Sequence, residues 1–77
     1  MTRLPRASGK DVLQALLRGG FQLSHTRGSH HYLRKPGASR LVVVPVHGNR
    51  DLPPGTLRSI LRQADLTVED LNRLLRE

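Results

Sequence analysis

Apolar residues recur at three- and four-residue spacing near the start of the chain, at Val12, Leu13, Leu16 and Leu17. This is the stripe of an amphipathic helix. Ser8 and Asp11 stand at capping-box spacing ahead of it, with Asp in place of the preferred Glu. Gly19-Gly20 supplies a left-handed exit, so the predicted helix covers residues 9–18. The period then shortens to two. Phe21, Leu23 and His25 alternate with polar residues, which predicts a half-buried strand over 21–25 followed by a turn at Arg27-Gly28. Residues 30–34 read as a second strand, with His30 and Tyr32 on one face and His31 and Leu33 on the other. A loop at 35–39 leads to a third strand at 40–45, which holds three consecutive valines and should end at Pro45.

After a loop around His47-Gly48-Asn49, Pro53-Pro54 opens a second helix, with Pro54 near its first position. Thr56, Leu57, Ile60, Leu61 and Ala64 form one face, and Arg58 and Arg62 lie four apart on another. Thr67 and Asp70 repeat the capping-box spacing, and Leu66 and Leu71 bracket them as a hydrophobic staple. A short third helix carries Leu71, Leu74 and Leu75. The predicted fold is α+β: α-β-β-β-α with a three-stranded antiparallel sheet, helices on one face, and a short C-terminal helix. One domain is expected over 1–77, with its core at about 7–66 and an extension at 67–77.

The chain has 77 residues, no Cys and two aromatics, Phe21 and Tyr32. Such a length buries only about 60–65% of its unfolded surface and excludes a multi-domain enzyme. Without Cys, neither disulfides nor thiolate chemistry are available. No apolar run approaches the roughly 20 residues of a membrane span. Residues 1–10 show no secretory signal, so the expected compartment is the cytoplasm.

The formal net charge is +7, and it is uneven. Residues 1–64 carry eleven of the thirteen basic residues but only Asp11 and Asp51, a net +9, while residues 65–77 carry −2. A basic body points to a polyanion, with nucleic acid the default partner. Lys10, Arg27, Arg34, Lys35, Arg40, Arg58 and Arg62 are the candidate phosphate contacts. A plain solvated basic surface is the competing explanation for each.

The histidines His25, His30, His31 and His47 all lie in or beside the expected sheet. A metal site is weakly supported, because there is no helical H-x-x-x-H and carboxylates are few. A structural role comes first for His25 and His31. Acid–base chemistry is the third reading. Imidazole has a reference pKa of about 6.5 and can take and return a proton near neutrality. RNA carries its own nucleophile, the 2′-hydroxyl, so one positioned base and nearby cations can suffice. His30 follows Arg27-Gly28-Ser29, where backbone can approach a phosphate closely. Tyr32, on the His30 face, is the one candidate for stacking on a base, with core packing as the alternative.

Four segments together resemble the HicA toxins, or YcfA-like mRNA interferases. These are Ser8-Gly9-Lys10 with Gly20-Phe21, the Gly28-Ser29-His30 segment within 26–32, Val43 to Asn49, and Leu52 to Ala64. The resemblance covers about residues 7–66. It implies a fold like a double-stranded-RNA-binding domain and ribosome-independent mRNA cleavage with growth arrest. It also implies a HicB antitoxin as partner. The family's catalytic histidine maps onto His30. His31 is the second candidate, because some members carry a further residue between Ser and His. His47 matches a recurrent position and is a candidate acid, or else a loop-fixing hydrogen bonder. The expected activity is a metal-independent endoribonuclease toxin needing no cofactor, with Gly28 and Ser29 beside the phosphate. The alternative is a non-catalytic RNA-binding module. The acidic extension at 67–77 does not suit RNA contact; it reads as a packing helix or an antitoxin-facing one.

Overall fold

The computed structural model describes residues 2–77; Met1 lies outside the described residues. The elements run α1 (Gly9–Arg18), β1 (Gln22–Arg27), β2 (His30–Arg34), β3 (Val42–Pro45), α2 (Pro54–Ala64) and α3 (Val68–Arg76). The three strands form one antiparallel sheet in the order β1-β2-β3. The predicted α+β class and strand count therefore hold.

The caps behave as the spacing implies. The Asp11 backbone N–H donates to Ser8 Oγ at 3.1 Å, and the Ser8 N–H donates to Asp11 Oδ2 at 3.3 Å. Thr67 and Asp70 make the same reciprocal pair at the start of α3, both bonds at 3.0 Å. At the end of α1, Gly20 sits at φ +95; its N–H donates to the Leu17 carbonyl and the Phe21 N–H to that of Leu16. This is a Schellman exit, and it delivers Phe21 into the core.

One apolar cluster joins the elements. Leu33, Val42 and Val44 from the sheet meet Val12, Ala15 and Leu16 of α1 and Leu57, Ile60 and Leu61 of α2. Leu71 and Leu74 of α3 belong to the same cluster, and the Arg18 guanidinium donates to the Leu74 carbonyl at 3.0 Å. The α1 stripe differs from the expected one: Val12, Ala15 and Leu16 are buried, whereas Leu17 is 40% exposed. Leu17 and Leu13 flank the stripe instead of centring it.

β1 departs most from expectation. It runs over Gln22–Arg27, so Arg27 ends the strand and the turn is Gly28-Ser29. Phe21 precedes the strand. Every β1 residue is exposed, Leu23 by 49%, so the half-buried strand is not found. β1 is an edge strand that the helices scarcely cover. Its register against β2 slips between Leu23 and His25: Leu23 pairs with Leu33, but His25 pairs with Tyr32, the next residue. One extra residue in β1 is a β-bulge. It places Leu23 on the helix side and His25 on the opposite side, whereas strict alternation would put both on one face. β3 is likewise shorter than read, because Arg40 and Leu41 precede the ladder.

The start of α1 is pinned against the end of the sheet. The Leu52 N–H donates to the Ala7 carbonyl at 2.8 Å, and Ser8 and Asp51 form an isolated bridge. Gly9 lies against the backbone of β3, where a Cβ would collide with the Pro45 carbonyl oxygen. Backbone cannot yield as a flexible side chain does. Gly9→Ala is therefore expected to lower stability by about 1–3 kcal/mol, read as a reduced denaturation midpoint with an unchanged slope.

The α3 cap also titrates. The Thr67 backbone N–H, followed by its hydroxyl, holds the Asp70 carboxyl below the ordinary carboxylate range. A carboxyl whose folded pKa is depressed contributes stability above its unfolded value of about 3.9, and loses it as pH falls through the folded value. Asp70→Asn should thus lower the denaturation midpoint at pH 7, where the carboxylate is ionised, and have a much smaller effect at pH 2, where it is protonated.

Candidate functional site

The helices cover one face of the sheet and leave the other open. Cross-strand pairs share a face, so the register assigns each side chain. Leu23, Thr26, His31, Leu33, Val42 and Val44 turn towards the helices. His25 and Arg27 of β1, His30, Tyr32 and Arg34 of β2, and Val43 and Pro45 of β3 turn to the open side. His30 and His31 are therefore separated by the pleat of one strand.

His30 is exposed at the first position of β2. Its placement depends on a two-residue hairpin: Arg27 and His30 pair across Gly28-Ser29, with Gly28 at φ +58. A left-handed glycine at the first central position matches the twist of the flanking strands. On the β3 side His30 pairs with Pro45 and looks into a shallow groove lined by Val43, Thr56, Ser59, Ile60 and Gln63. α2 forms that wall because the Val43 N–H, on the outer edge of β3, donates to Gln63 Oε1 at 3.1 Å. This bond closes the edge that an unpaired β3 would otherwise present.

His31 is half-buried on the helix side, and its buried Nδ1 has no hydrogen-bond partner. His25 stands on the open face. Its ring stacks on Tyr32 with centroids 4.4 Å apart and planes 9° from parallel, and its Nδ1 shares a 3.0 Å hydrogen bond with Ser24 Oγ. The β1 alternation gave no hint of this placement; the bulge decides it. The only hint in the sequence was Tyr32, already assigned to the His30 face. Tyr32 is half-buried beneath the stack.

His47 lies beyond the end of β3. The ladder reaches one residue further than the strand, since the Val46 N–H donates to the Ser29 carbonyl at 2.8 Å. His47 then enters an exposed turn, with its carbonyl accepting from the Arg50 N–H at 3.2 Å and Gly48 at φ +59. Among the described residues its side chain makes no hydrogen bond, so the loop-fixing role is carried by its backbone alone.

The candidate phosphate contacts do not form one patch. Arg27, Gly28 and Ser29 adjoin His30, and Lys10 is exposed in the first turn of α1, which abuts Pro45. Arg34 shares the open face, about 13 Å along β2 from His30. Lys35 and Arg40 lie at the far end of the sheet and are engaged locally. The Lys35 ammonium stands 5.4 Å from the Phe21 ring centre, and the Arg40 guanidinium donates to the Arg62 carbonyl at 3.3 Å, in the last turn of α2. Arg62 reaches back to Ser59 Oγ at 3.1 Å. Arg58 lines a separate groove with Arg3, Arg6 and Asp51.

Among the described residues no three His, Asp or Glu side chains converge as a metal-binding group. No helix among them is long and apolar enough to cross a membrane.

None of the curated proteins compared matches the sequence. A family model described as HicA toxin of bacterial toxin–antitoxin matches residues 9–66, from the first residue of α1 to the exit of α2. That span is three-quarters of the chain and takes in the hairpin, the open face and the groove wall, so the chain belongs to the HicA toxin family, the toxin side of a toxin–antitoxin pair.

Proposed function

We propose that this HicA-family chain is a metal-independent endoribonuclease that cleaves mRNA in the cytoplasm, with His30 as general base. The observation that carries the reading is the open-face hairpin. An exposed His30 stands opposite Arg27 across the β1–β2 ladder, on the same face, beside a Gly28-Ser29 turn with no side-chain bulk at Gly28. The imidazole takes the 2′-hydroxyl proton, and the freed oxygen attacks the adjacent phosphorus. The guanidinium donates to the phosphoryl oxygens as charge grows on them. The products carry a 2′,3′-cyclic phosphate or its hydrolysis product.

His31 suits this role less well, because it shares the helix-side face with Leu33 and Val44. A HicB-type antitoxin would inhibit by covering the open face and the groove between β3 and α2. The RNA contacts nearest the reacting phosphate are Arg27, Gly28, Ser29 and Lys10, with Arg34 following the strand outward. Arg58 and Arg62 serve RNA more distant from it.

His30→Ala is expected to lower cleavage of a labelled mRNA by roughly 10²–10⁴-fold, with an unchanged circular dichroism spectrum. Full cleavage by this variant would overturn the assignment. EDTA should leave the wild-type rate intact. Salt-sensitive binding of duplex RNA without any product would favour a non-catalytic RNA-binding module instead.

His31→Leu makes the complementary case. The substitution removes a buried nitrogen that lacks a partner, so it should retain cleavage and leave stability unchanged or raised by up to about 1–3 kcal/mol.

A further inference from the structure

We propose that His25 is the second acid–base group of this site, the general acid that protonates the leaving 5′-oxygen while His30 takes the 2′-hydroxyl proton. The inference rests on the ribonuclease reading above. Its basis is a square of side chains on the open face. Arg27 pairs with His30, and His25 pairs with Tyr32. The two imidazoles therefore occupy one diagonal, and a guanidinium and a phenol the other. Diagonal neighbours on one face of an antiparallel pair lie about 7–8 Å apart. That gap accommodates a phosphodiester reached from both ends by hydrogen bonds of about 2.6–3.2 Å.

Transesterification needs such a pair. The bond from O2′ to phosphorus forms, the bond from phosphorus to O5′ breaks, and the 2′ proton passes to His30. The proton on His25 passes to O5′, giving a free 5′-hydroxyl. The two histidines finish with exchanged protonation states, which solvent resets.

His25 is held for this work as His47 is not. Its Nδ1 is engaged by Ser24 Oγ and its ring lies flat on Tyr32, so Nε2 is the nitrogen left to meet the substrate. Both neighbours belong to the sheet, and a catalytic ring fixed by its supports loses little freedom in the transition state. His47 sits instead in an exposed turn. The bulge between Leu23 and His25 acquires a purpose in this arrangement, because it turns His25 to the same face as His30. The groups facing His25 are Tyr32, Arg27, Arg34 and His30; no carboxylate lies on any of the three strands.

The test uses the full chain and two RNA substrates, one ordinary and one with sulfur replacing the bridging 5′-oxygen at the cleavage site. A thiolate departs without protonation, so the second substrate needs no acid. His25→Ala should lower cleavage of ordinary RNA by roughly 10²-fold or more, yet cut the sulfur-bridged RNA within about tenfold of the wild-type rate. His30→Ala should fail on both. Because His25 is exposed on an edge strand, its removal leaves the core intact. Wild-type cleavage of ordinary RNA by His25→Ala would overturn the proposal, as would an equal defect on both substrates, which would mark His25 as a binding or packing group. In either case the His30 reading stands. A wild-type protein that cuts neither RNA would overturn both.

Discussion

Leu33, Val42 and Val44 all turn to the same side of the sheet, and the buried residues of α1 and α2 meet them there. A chain of this length cannot supply a second apolar layer. The opposite face must therefore meet water or a partner, and it is populated by imidazole, guanidinium and phenol groups. One-sided burial thus separates a packing surface from a chemical one within strands of only four to six residues. It also explains why adjacent histidines have opposite fates. The pleat sends His31 towards the core and His30 away from it.

The same constraint directs the helices. α1 begins against Pro45 through the bare Gly9 backbone, and the first half of α2 flanks His30. Both helix starts consequently lie at the hairpin end of the sheet, with their partial positive charge. At the other end Lys35 and Arg40 are occupied by Phe21 and by the last turn of α2. Net charge alone does not reveal this division. A basic residue can stabilise the fold locally or remain free for a phosphate, and only its neighbours determine which.

α3 lies beyond the span shared with the family model, yet it is not an appendage. Leu71 and Leu74 are buried in the common cluster, and α3 packs against α1. In a domain near the lower size limit, two more buried leucines matter for stability.

The sequence by itself determined the element order, both capping boxes, the glycine exit of α1 and the opposite facing of His30 and His31. Those features depend on local spacing: a cap needs residues three apart, and a strand face needs residues two apart. The family, too, was legible from short motifs in order. Local spacing could not reveal the bulge in β1, because a slip in register is a relation between two strands. Alternation in β1 put His25 with Leu23, and pairing with Tyr32 reversed that. For the same reason Phe21 left the strand for the core, Leu17 and Leu23 stayed exposed, and Gln63 came to close the edge of β3. Periodicity specifies which residues can share a face; packing between elements decides which face is covered and what stands together on the one left open.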